Sequence, residues 1–236
     1  MTLAEAELAV IIPVYNEEEI IGKVLDAWSA ELSRLEINYE IHVYNDGSKD
    51  KTLAILNAYR ASNKRVVVHN KANSGHGPTV LRGYRENSDT KWIFQIDSDG
   101  EIGPESFQAI WEKRGSYDLL LGRRTGRNSG VVRACLSFFA RLAVWIFYGS
   151  EVHDVNSPFR LMRGELFKEI FFKIPDGTFA PNVIISGAAS RARLRILEHP
   201  VQYTARKTGE VSLKKMKLLR AALRSLFQTI KFRSQI

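Results

Sequence analysis

The sequence predicts a doubly wound α/β fold built on a mostly parallel sheet. Apolar segments of strand length alternate with segments of helical spacing through the first half of the chain, which is the pattern of parallel strands joined by helical crossovers. Polar and acidic residues directly follow three of the apolar segments, at 16–17, 45–48 and 97–101. Because such sheets bind ligands beyond the carboxyl ends of their strands, these three clusters are candidates for one site.

The first strand and the first helix have the clearest pattern. Residues 8–14 form a continuous apolar run, and apolar side chains recur at helical spacing over residues 20–28. A buried parallel strand followed by an amphipathic helix is therefore expected. Asn16 is expected to cap this helix, and Glu19 to complete a capping box.

The remaining elements continue this alternation, although the second half of the chain is less regular. Further strands are predicted at 39–44, 65–69, 92–96 and 119–121, with helices around 53–59, 79–86 and 105–114. Residues 134–149 are almost wholly apolar. A membrane span needs roughly 20 residues, so this shorter segment is expected to be a buried or interfacial helix.

The charge is distributed unevenly along the chain. Residues 211–236 hold seven basic residues and no acidic one, whereas the other 210 residues carry 27 basic and 26 acidic residues. The apolar side chains of this tail share one helical face. We therefore expect a catalytic or binding domain over 1–210 and a basic amphipathic helix over 211–236. Such a tail suits an anionic partner, either nucleic acid or a membrane surface.

The overall composition excludes several protein classes. Hydrophobic residues make up 44% of the chain and charged residues 25%, which is an ordinary globular balance and argues against wholesale disorder. The single cysteine, Cys135, excludes an intramolecular disulfide framework and a multi-cysteine zinc site. One cysteine also fits a reducing compartment.

Asp97, Asp99 and Glu101 form the most informative cluster. They follow a buried strand, and strand alternation would place all three carboxylates on one side of an extended chain. Carboxylates this close repel one another unless a cation lies among them, and Mg²⁺ or Mn²⁺ prefers oxygen ligands and shares its shell with substrate phosphates. The cluster therefore predicts a divalent cation that holds a diphosphate. A solvated acidic turn is the alternative, because Asp-Gly is a common turn pair.

Two other loops give weaker signals. Residues 45–48, Asn-Asp-Gly-Ser, can simply end a strand, or Asp46 can accept hydrogen bonds from a nucleobase or a ribose. Gly75 and Gly77 would let backbone N–H groups approach a ligand. This loop lacks the G-x-G-x-x-G spacing and the Walker lysine, so dinucleotide-binding and P-loop sites are excluded.

Seven segments gain meaning when they are taken together: 10–19 (VIIPVYNEEE), 44–52 (YNDGSKDKT), 70–84 (NKANSGHGPTVLRGY), 95–101 (QIDSDGE), 121–124 (LGRR), 152–167 (VHDVNSPFRLMRGELF) and 200–213 (PVQYTARKTGEVSL). In this order they resemble the family 2 glycosyltransferases of the GT-A fold. The similarity is greatest to the branch that makes dolichyl- or polyprenyl-phosphate sugars. Asn45 stands where the family has an aspartate, and Pro158 where glycine is usual.

The resemblance implies a reaction and a set of site residues. The reaction is inverting transfer of a sugar from a UDP- or GDP-linked donor. The donor site would be formed by Pro13, Tyr15, Glu17 and Asp46 around the nucleoside, with Asp46 on the base, and by Lys71. Asp97, Asp99 and Glu101 would hold Mg²⁺ or Mn²⁺ on the diphosphate, with Asp99 catalytic. Arg123 or Arg124, together with Arg206, would bind phosphates through forked guanidinium donors.

The acceptor determines whether a general base is needed. A sugar hydroxyl loses a proton as it attacks, whereas a lipid phosphate is already ionised. Asp154 is the best candidate for a base or an acceptor-positioning carboxylate, and a structural ion pair with Arg160 is the alternative. The second half lacks a clear pair of neighbouring carboxylates of the kind that hydroxyl-acceptor members carry. This favours a polyprenyl or dolichyl phosphate acceptor, in glycan or cell-envelope biosynthesis.

A lipid-phosphate acceptor favours a membrane surface over nucleic acid as the anionic partner of the tail. We expect a cytoplasmic enzyme, peripheral at the cytoplasmic face of a membrane, with an integral membrane protein as a possible partner and no nucleic acid. For the tail, an ordinary helix packed on the domain with a solvated basic face is the alternative. Three alternatives remain besides a saccharide acceptor. The first is a sugar-1-phosphate nucleotidyltransferase, but such enzymes open with a glycine-rich loop and the first strand here ends in Pro-Val-Tyr-Asn-Glu. The second is a nucleic-acid-binding protein, but the sequence has no recognisable motif of that class. The third is a catalytically silent relative, against which the presence of Asp97 and Asp99 argues.

Overall fold

A computed structural model describes residues 6–125 and 152–204. The tail at 211–236, the apolar segment at 134–149 and Arg206 lie outside these ranges. The strands are β1 (Leu8–Val14), β2 (Tyr39–Asp46), β3 (Val66–Lys71), β4 (Trp92–Gln95), β5 (Leu119–Thr125), β6 (Arg160–Arg163) and β7 (Ile196–Gln202). The α-helices are α1 (Ile21–Arg34), α2 (Thr52–Ser62), α3 (His76–Glu86), α4 (Phe107–Trp111), α5 (Gly164–Lys173) and α6 (Pro181–Arg191), and a 3₁₀ turn at Pro104–Ser106 precedes α4.

The seven strands form one sheet in the order β3-β2-β1-β4-β6-β5-β7. All pairings are parallel except those of β6, which runs antiparallel to both β4 and β5. Leu8 of β1 is level with Tyr39 of β2 on one side and with Trp92 of β4 on the other. The predicted mostly parallel sheet is thus confirmed, and the first strands end near one another.

Helices cover both faces of the sheet, as the doubly wound prediction requires. Alternate residues of β1 enter different cores, with Val10 and Ile12 on one face and Ala9 and Ile11 on the other. The first core packs against α1, α2 and α4, and the second against α3, α5 and α6. A strand buried on both sides has no polar face, which is why it reads as a continuous apolar run.

The first core contains a cluster of large aromatic rings. Trp28 of α1 lies 5.2 Å from Phe94 of β4 and 5.7 Å from Phe107 of α4, measured between ring centroids. Phe159, just before β6, contacts Phe94 at 4.9 Å in an edge-to-face arrangement. These rings tie the two halves of the chain together directly beneath the end of β4.

The predicted cap of the first helix is wrong. Helix α1 begins at Ile21, and no side chain caps it. Asn16 instead adopts a positive φ of 54° and accepts a hydrogen bond from the N–H of Lys49 at 2.8 Å, while its own N–H donates to Ser48 Oγ at 3.0 Å. Asparagine tolerates this left-handed conformation better than most residues, so Asn16 joins two loops.

The second half adds two strands and two helices that the sequence pattern did not reveal. Strand β6 carries Arg160, which is fully buried and donates to the carbonyl oxygens of Val155, Ser157 and Asn182 at 2.9–3.2 Å. Three carbonyl partners replace the water that a buried guanidinium loses.

In the described part of the chain, no helix has both the length and the apolar character that crossing a membrane requires.

Candidate active site

The loops at the carboxyl ends of β1 and β2 are bound to each other. Beyond the contacts of Asn16, the N–H of Glu17 donates to Thr52 Oγ1 at 2.8 Å, and the N–H of Glu18 donates to Asp50 at 3.1 Å. Glu17 is partly buried here, and the neighbouring Tyr15 is 38% exposed. Two of the three predicted polar clusters, those after β1 and β2, therefore meet at this edge of the sheet.

Asp46 and Lys71 connect this edge to the start of α3. The buried Asp46 carboxylate accepts hydrogen bonds from the N–H groups of Ser74 and Gly75, at 2.8 and 2.9 Å, and from the Lys71 ammonium group. Burial alone would raise the pKa of Asp46, but these donors hold it below its ordinary value. Lys71 also donates to Thr79 Oγ1 of α3 at 3.1 Å. Both residues therefore shape the 72–75 loop.

The acidic segment reaches its position through a turn. Strand β4 ends at Gln95, Gly100 has a φ of +68°, and Asp99 Oδ1 accepts the N–H of Glu101 at 3.1 Å. The expectation that an extended chain aligns the three carboxylates is wrong, because the chain is no longer extended there. The three still face one cleft, which is lined by Ile96, Asp97, Asp99, Glu101, Ile102, Arg124, Pro158 and Phe159.

Asp97 is held from two directions. His76 Nε2, at the first residue of α3, lies 3.0 Å from Asp97 Oδ1, and Gln95 Nε2 donates to the same oxygen at 3.1 Å. Desolvation works against ionisation of both groups. Their mutual attraction nevertheless holds the pKa of Asp97 below, and that of His76 above, its ordinary value. Asp97 is therefore an anion in the folded protein.

The protein side chains at the predicted metal site do not by themselves complete the coordination shell of an ion. Within residues 6–125 and 152–204, no three His, Cys, Asp or Glu side chains lie close enough together to hold one ion. The donor set still fits Mg²⁺ or Mn²⁺, because such ions are commonly bound by one or two carboxylates and complete their shell with substrate phosphates and water. Asp97 and Asp99 supply such oxygens at a cleft open to a substrate.

Arg124 is the cation opposite these carboxylates. Its Nε and Nη2 form a two-pronged ion pair with Asp154, at 2.7 and 2.8 Å. Asp154 is therefore in an ion pair, as its alternative role supposed, but the partner is Arg124 and not Arg160. Desolvation lowers the pKa of Arg124, but Asp154, Asp97 and Glu101 together raise it above its ordinary value. Strand alternation points Arg123, which is exposed, to the face opposite Arg124.

Glu198 of β7 fixes the loop that carries Asp154. Its carboxylate accepts the backbone N–H groups of His153 and Asp154, at 3.0 Å each, and contacts His153 Nδ1 at 2.7 Å. The Arg124–Asp154 pair thus rests on β5 and β7, which are parallel neighbours. Pro13 lies apart from the cleft lining, buried in β1 opposite Tyr44.

His76, Gln95 and Glu198 contribute to the site although the sequence did not single them out for it. Gln95 had a visible signal, because it is the one polar residue in the apolar segment 92–96. His76 stands between two glycines of a loop already suspected of approaching a ligand. Glu198 had no signal, since its role depends on the pairing of β5 with β7.

The chain can now be compared with known proteins. The model of the family described as Glycosyl transferase family 2 matches residues 9–171. A curated relative, the undecaprenyl-phosphate 4-deoxy-4-formamido-L-arabinose transferase of Pseudomonas fluorescens, is 27% identical over 216 residues. The match covers 90% of this chain and 61% of that relative, so the chain spans less than two thirds of the relative's length.

Two solved structures share the fold at low sequence identity. Glucosyl-3-phosphoglycerate synthase from Mycobacterium tuberculosis, solved with Mn²⁺, UDP and glucosyl-3-phosphoglycerate, superposes with a TM-score of 0.67 at 18% identity, over 98% of this chain and 81% of that one. A mannosyltransferase from Pyrobaculum calidifontis, solved with GDP-Man and Mn²⁺, gives 0.63 at 13% identity, over 98% and 74%. With the family match over most of its length, this chain belongs to the family 2 glycosyltransferases and has their GT-A fold.

Proposed function

We propose that this protein transfers a sugar from a nucleoside diphosphate sugar to a polyprenyl phosphate, with Mg²⁺ or Mn²⁺ as cofactor. One observation carries the proposal. Asp97, Asp99 and Glu101 line a single cleft together with Arg124, so groups suited to hold a cation lie opposite a group suited to bind phosphate. The curated relative is named an undecaprenyl-phosphate 4-deoxy-4-formamido-L-arabinose transferase, and this similarity supports the class of acceptor.

The donor would lie across the carboxyl ends of β1, β2 and β4. We assign the cation to Asp97 and Asp99, with Glu101 beside them, and the nucleoside to the edge formed by Tyr15 and Glu17. When bound, the cation would neutralise charge that develops on the leaving diphosphate. Asp46 would contribute chiefly by shaping the 72–75 loop, because its oxygens already accept hydrogen bonds there.

Arg124 would bind the leaving phosphates. Its Nε–Nη2 side is engaged by Asp154, which orients the guanidinium group, and we assign the Nη1 edge to phosphate. A guanidinium held in advance needs no rearrangement as charge develops, which is the favourable arrangement for electrostatic catalysis. Arg206 stays a predicted second phosphate contact.

The state of Asp154 favours an acceptor that needs no base. Both of its oxygens accept hydrogen bonds from Arg124, so a general base would have to act from a carboxylate already engaged in an ion pair. A phosphate monoester is already ionised at neutral pH, so it can attack without losing a proton. Asp154 therefore acts in this proposal as a positioning carboxylate, and the transfer inverts the anomeric centre.

Thermal-shift measurements with nucleotides test the proposal. We expect one of UDP, GDP, CDP or dTDP to raise the melting temperature in the presence of Mn²⁺ and to do so less without it, because a ligand that binds only the native state stabilises it. Asp99→Asn should abolish the Mn²⁺-dependent part. The donor sugar should then pass to a polyprenyl phosphate and not to the corresponding polyprenol.

Asp89→Asn is the matched control. Asp89 is 86% exposed and pairs with Lys168 on the protein surface, so this variant should keep the full Mn²⁺-dependent shift. Stabilisation by none of the four nucleotides with Mn²⁺ would refute the proposal. Transfer to a saccharide hydroxyl in place of the lipid phosphate would refute its acceptor.

A further inference from the structure

A buried polar network lies directly behind Asp97. Gln95, the last residue of β4, is fully buried and donates from Nε2 to Asp97 Oδ1 at 3.1 Å. Its Oε1 lies 2.7 Å from the hydroxyl of Tyr84 on α3 and 2.7 Å from Asn182 Nδ2 on α6. Tyr84 is fully buried and Asn182 is 3% exposed. The network therefore joins β4 to two helices on one face of the sheet.

The hydrogen-bonding chemistry fixes the orientation of the Gln95 amide. A carboxylate accepts hydrogen bonds, so the NH₂ group must face Asp97 and the carbonyl oxygen must face away. Asn182 Nδ2 meets that oxygen with a donor, and the single proton of the Tyr84 hydroxyl is available to it or to Asn182 Oδ1, which lies 2.9 Å from the hydroxyl. In a turned-over amide, the oxygen would face Asp97 and the NH₂ group would face Asn182 Nδ2, and each mismatch in a buried position costs free energy.

We infer that Gln95 is a positioning residue for Asp97, with Tyr84 and Asn182 holding Gln95 in place. This role rests on the proposed function, because it concerns the carboxylate assigned to the cation. Both Gln95 and His76 approach the same oxygen, Oδ1. Coordination of a cation through Oδ2 would leave these hydrogen bonds intact, and Gln95 would present that oxygen in a constant direction. Residues behind a metal ligand commonly act in this way.

Substitution of Gln95 by methionine tests the inference. Gln95→Met keeps a similar shape and removes both hydrogen-bonding groups. Mn²⁺ affinity, measured by isothermal titration in the presence of UDP and of GDP, should fall about 10- to 100-fold, the usual effect of removing a partner behind a ligand. Tyr84→Phe should weaken Mn²⁺ binding less, since Asn182 still donates to Gln95. In the Gln95→Met background, Tyr84→Phe should cause no further loss, because it acts through Gln95.

Asn87→Leu is the control for loss of a buried amide. Asn87, just after α3, is 8% exposed and donates to Tyr44 and to the Gly83 carbonyl group. This variant should lower the melting temperature and leave Mn²⁺ affinity unchanged. An equal loss of affinity in Asn87→Leu and Gln95→Met would overturn the inference, since general destabilisation would then explain both. If Gln95→Met does not fold, unchanged affinity in Tyr84→Phe would overturn it.

Metal-free crystals separate this inference from the proposed function. The Asp97 carboxylate should keep one orientation in the wild type and lose it in Gln95→Met. An unchanged orientation in the variant would overturn the positioning role. If the orientation depends on Gln95 while the wild type binds no Mn²⁺ with any of UDP, GDP, CDP and dTDP, the positioning role stands and the proposed function fails.

Discussion

Asn45 stands where the resemblance leads one to expect an aspartate, and its amide explains how the fold accommodates the change. Asn45 Nδ2 donates to Asn70 Oδ1 at 2.8 Å, and Asn45 Oδ1 accepts the hydroxyl of Ser48. A carboxylate can accept from Ser48 but has no proton for Asn70. Asn45 therefore binds the ends of β2 and β3 together, next to the Asp46 carboxylate.

His42 is expected to make the stability of the protein depend on pH between pH 4 and pH 7. It lies on β2, with His69 Nε2 3.2 Å from its Nδ1 and Glu40 3.2 Å from its Nε2. Burial and the charge of His69 lower the pKa of His42 to about 4, against the attraction of Glu86. At a pH below the ordinary pKa of histidine, His42 is protonated in the unfolded chain but stays neutral in the folded protein. Stability is therefore complete at pH 7 and is lost as the pH falls towards 4.

The variant His42→Asn isolates this contribution. The free energy of unfolding, measured by urea denaturation, should fall between pH 7 and pH 5 by about 2 kcal/mol less in the variant than in the wild type. Carboxylates that lose stability over the same range are common to both proteins and cancel in the difference. Parallel pH profiles for the two proteins would contradict the prediction.

Among the elements, the start of α3 determines the geometry of the cleft. Gly77 lies in the first turn of this helix, and a Cβ atom there would overlap the carbonyl oxygens of Thr178 and Phe179. The contact sets how close α3 lies to the 178–179 segment, and His76 beside it reaches Asp97. A single methyl group at this position would therefore move the helix start.

We expect Gly77→Ala to lower the free energy of unfolding by about 1–3 kcal/mol, the usual cost of overpacking, and to weaken Mn²⁺-dependent nucleotide binding. Gly22→Ala is the matched control, because Gly22 lies within α1 and a Cβ there meets nothing within 4 Å. Alanine is the better helix former, so this variant should be as stable as the wild type or more so. Equal stability of both variants, measured by thermal unfolding, would contradict the prediction.

The elements differ in how well the sequence revealed them. Strand β1 was predictable because burial on both faces leaves an uninterrupted apolar run. Strand β6 was not, since two of its four residues are arginines, Arg160 and Arg163, and Arg160 is buried only because the folded chain supplies three carbonyl acceptors around it. Strand β7 contains Pro200, which is tolerated at the edge of the sheet but obscures the strand pattern.

The same limit applies to the site. Asp97, Asp99 and Glu101 were recognisable because they follow a buried strand within five residues. The pairing of Asp154 with Arg124 was not, because the antiparallel insertion of β6 decides which strands are neighbours. The local sequence thus reveals functional groups that follow a single strand. Pairs of residues that are brought together by different elements can be predicted only when the strand order is known.

For the whole molecule, the charge distribution raises the question of where the protein acts. The body is nearly neutral, and the predicted helix at 211–236 carries the net positive charge. The polyprenyl phosphate that we propose as acceptor would lie in a membrane, so a catalytic body would gain from an element that holds it at an anionic surface. The amphipathic pattern of the tail suits that task, and the division into a body over 1–210 and this tail remains a prediction.

Two triple variants with equal loss of charge test the tail. The tail variant changes Lys214, Lys215 and Lys217 to glutamine. The body variant changes the exposed residues Arg60, Lys64 and Lys113 to glutamine. Each basic residue near an anionic membrane contributes about 1 kcal/mol of binding. The tail variant should therefore bind vesicles of phosphatidylglycerol and phosphatidylcholine roughly 100-fold more weakly in flotation assays, and the body variant should bind like the wild type. Equal binding by the two variants would show that net charge, and not the tail, governs association, because only their positions differ.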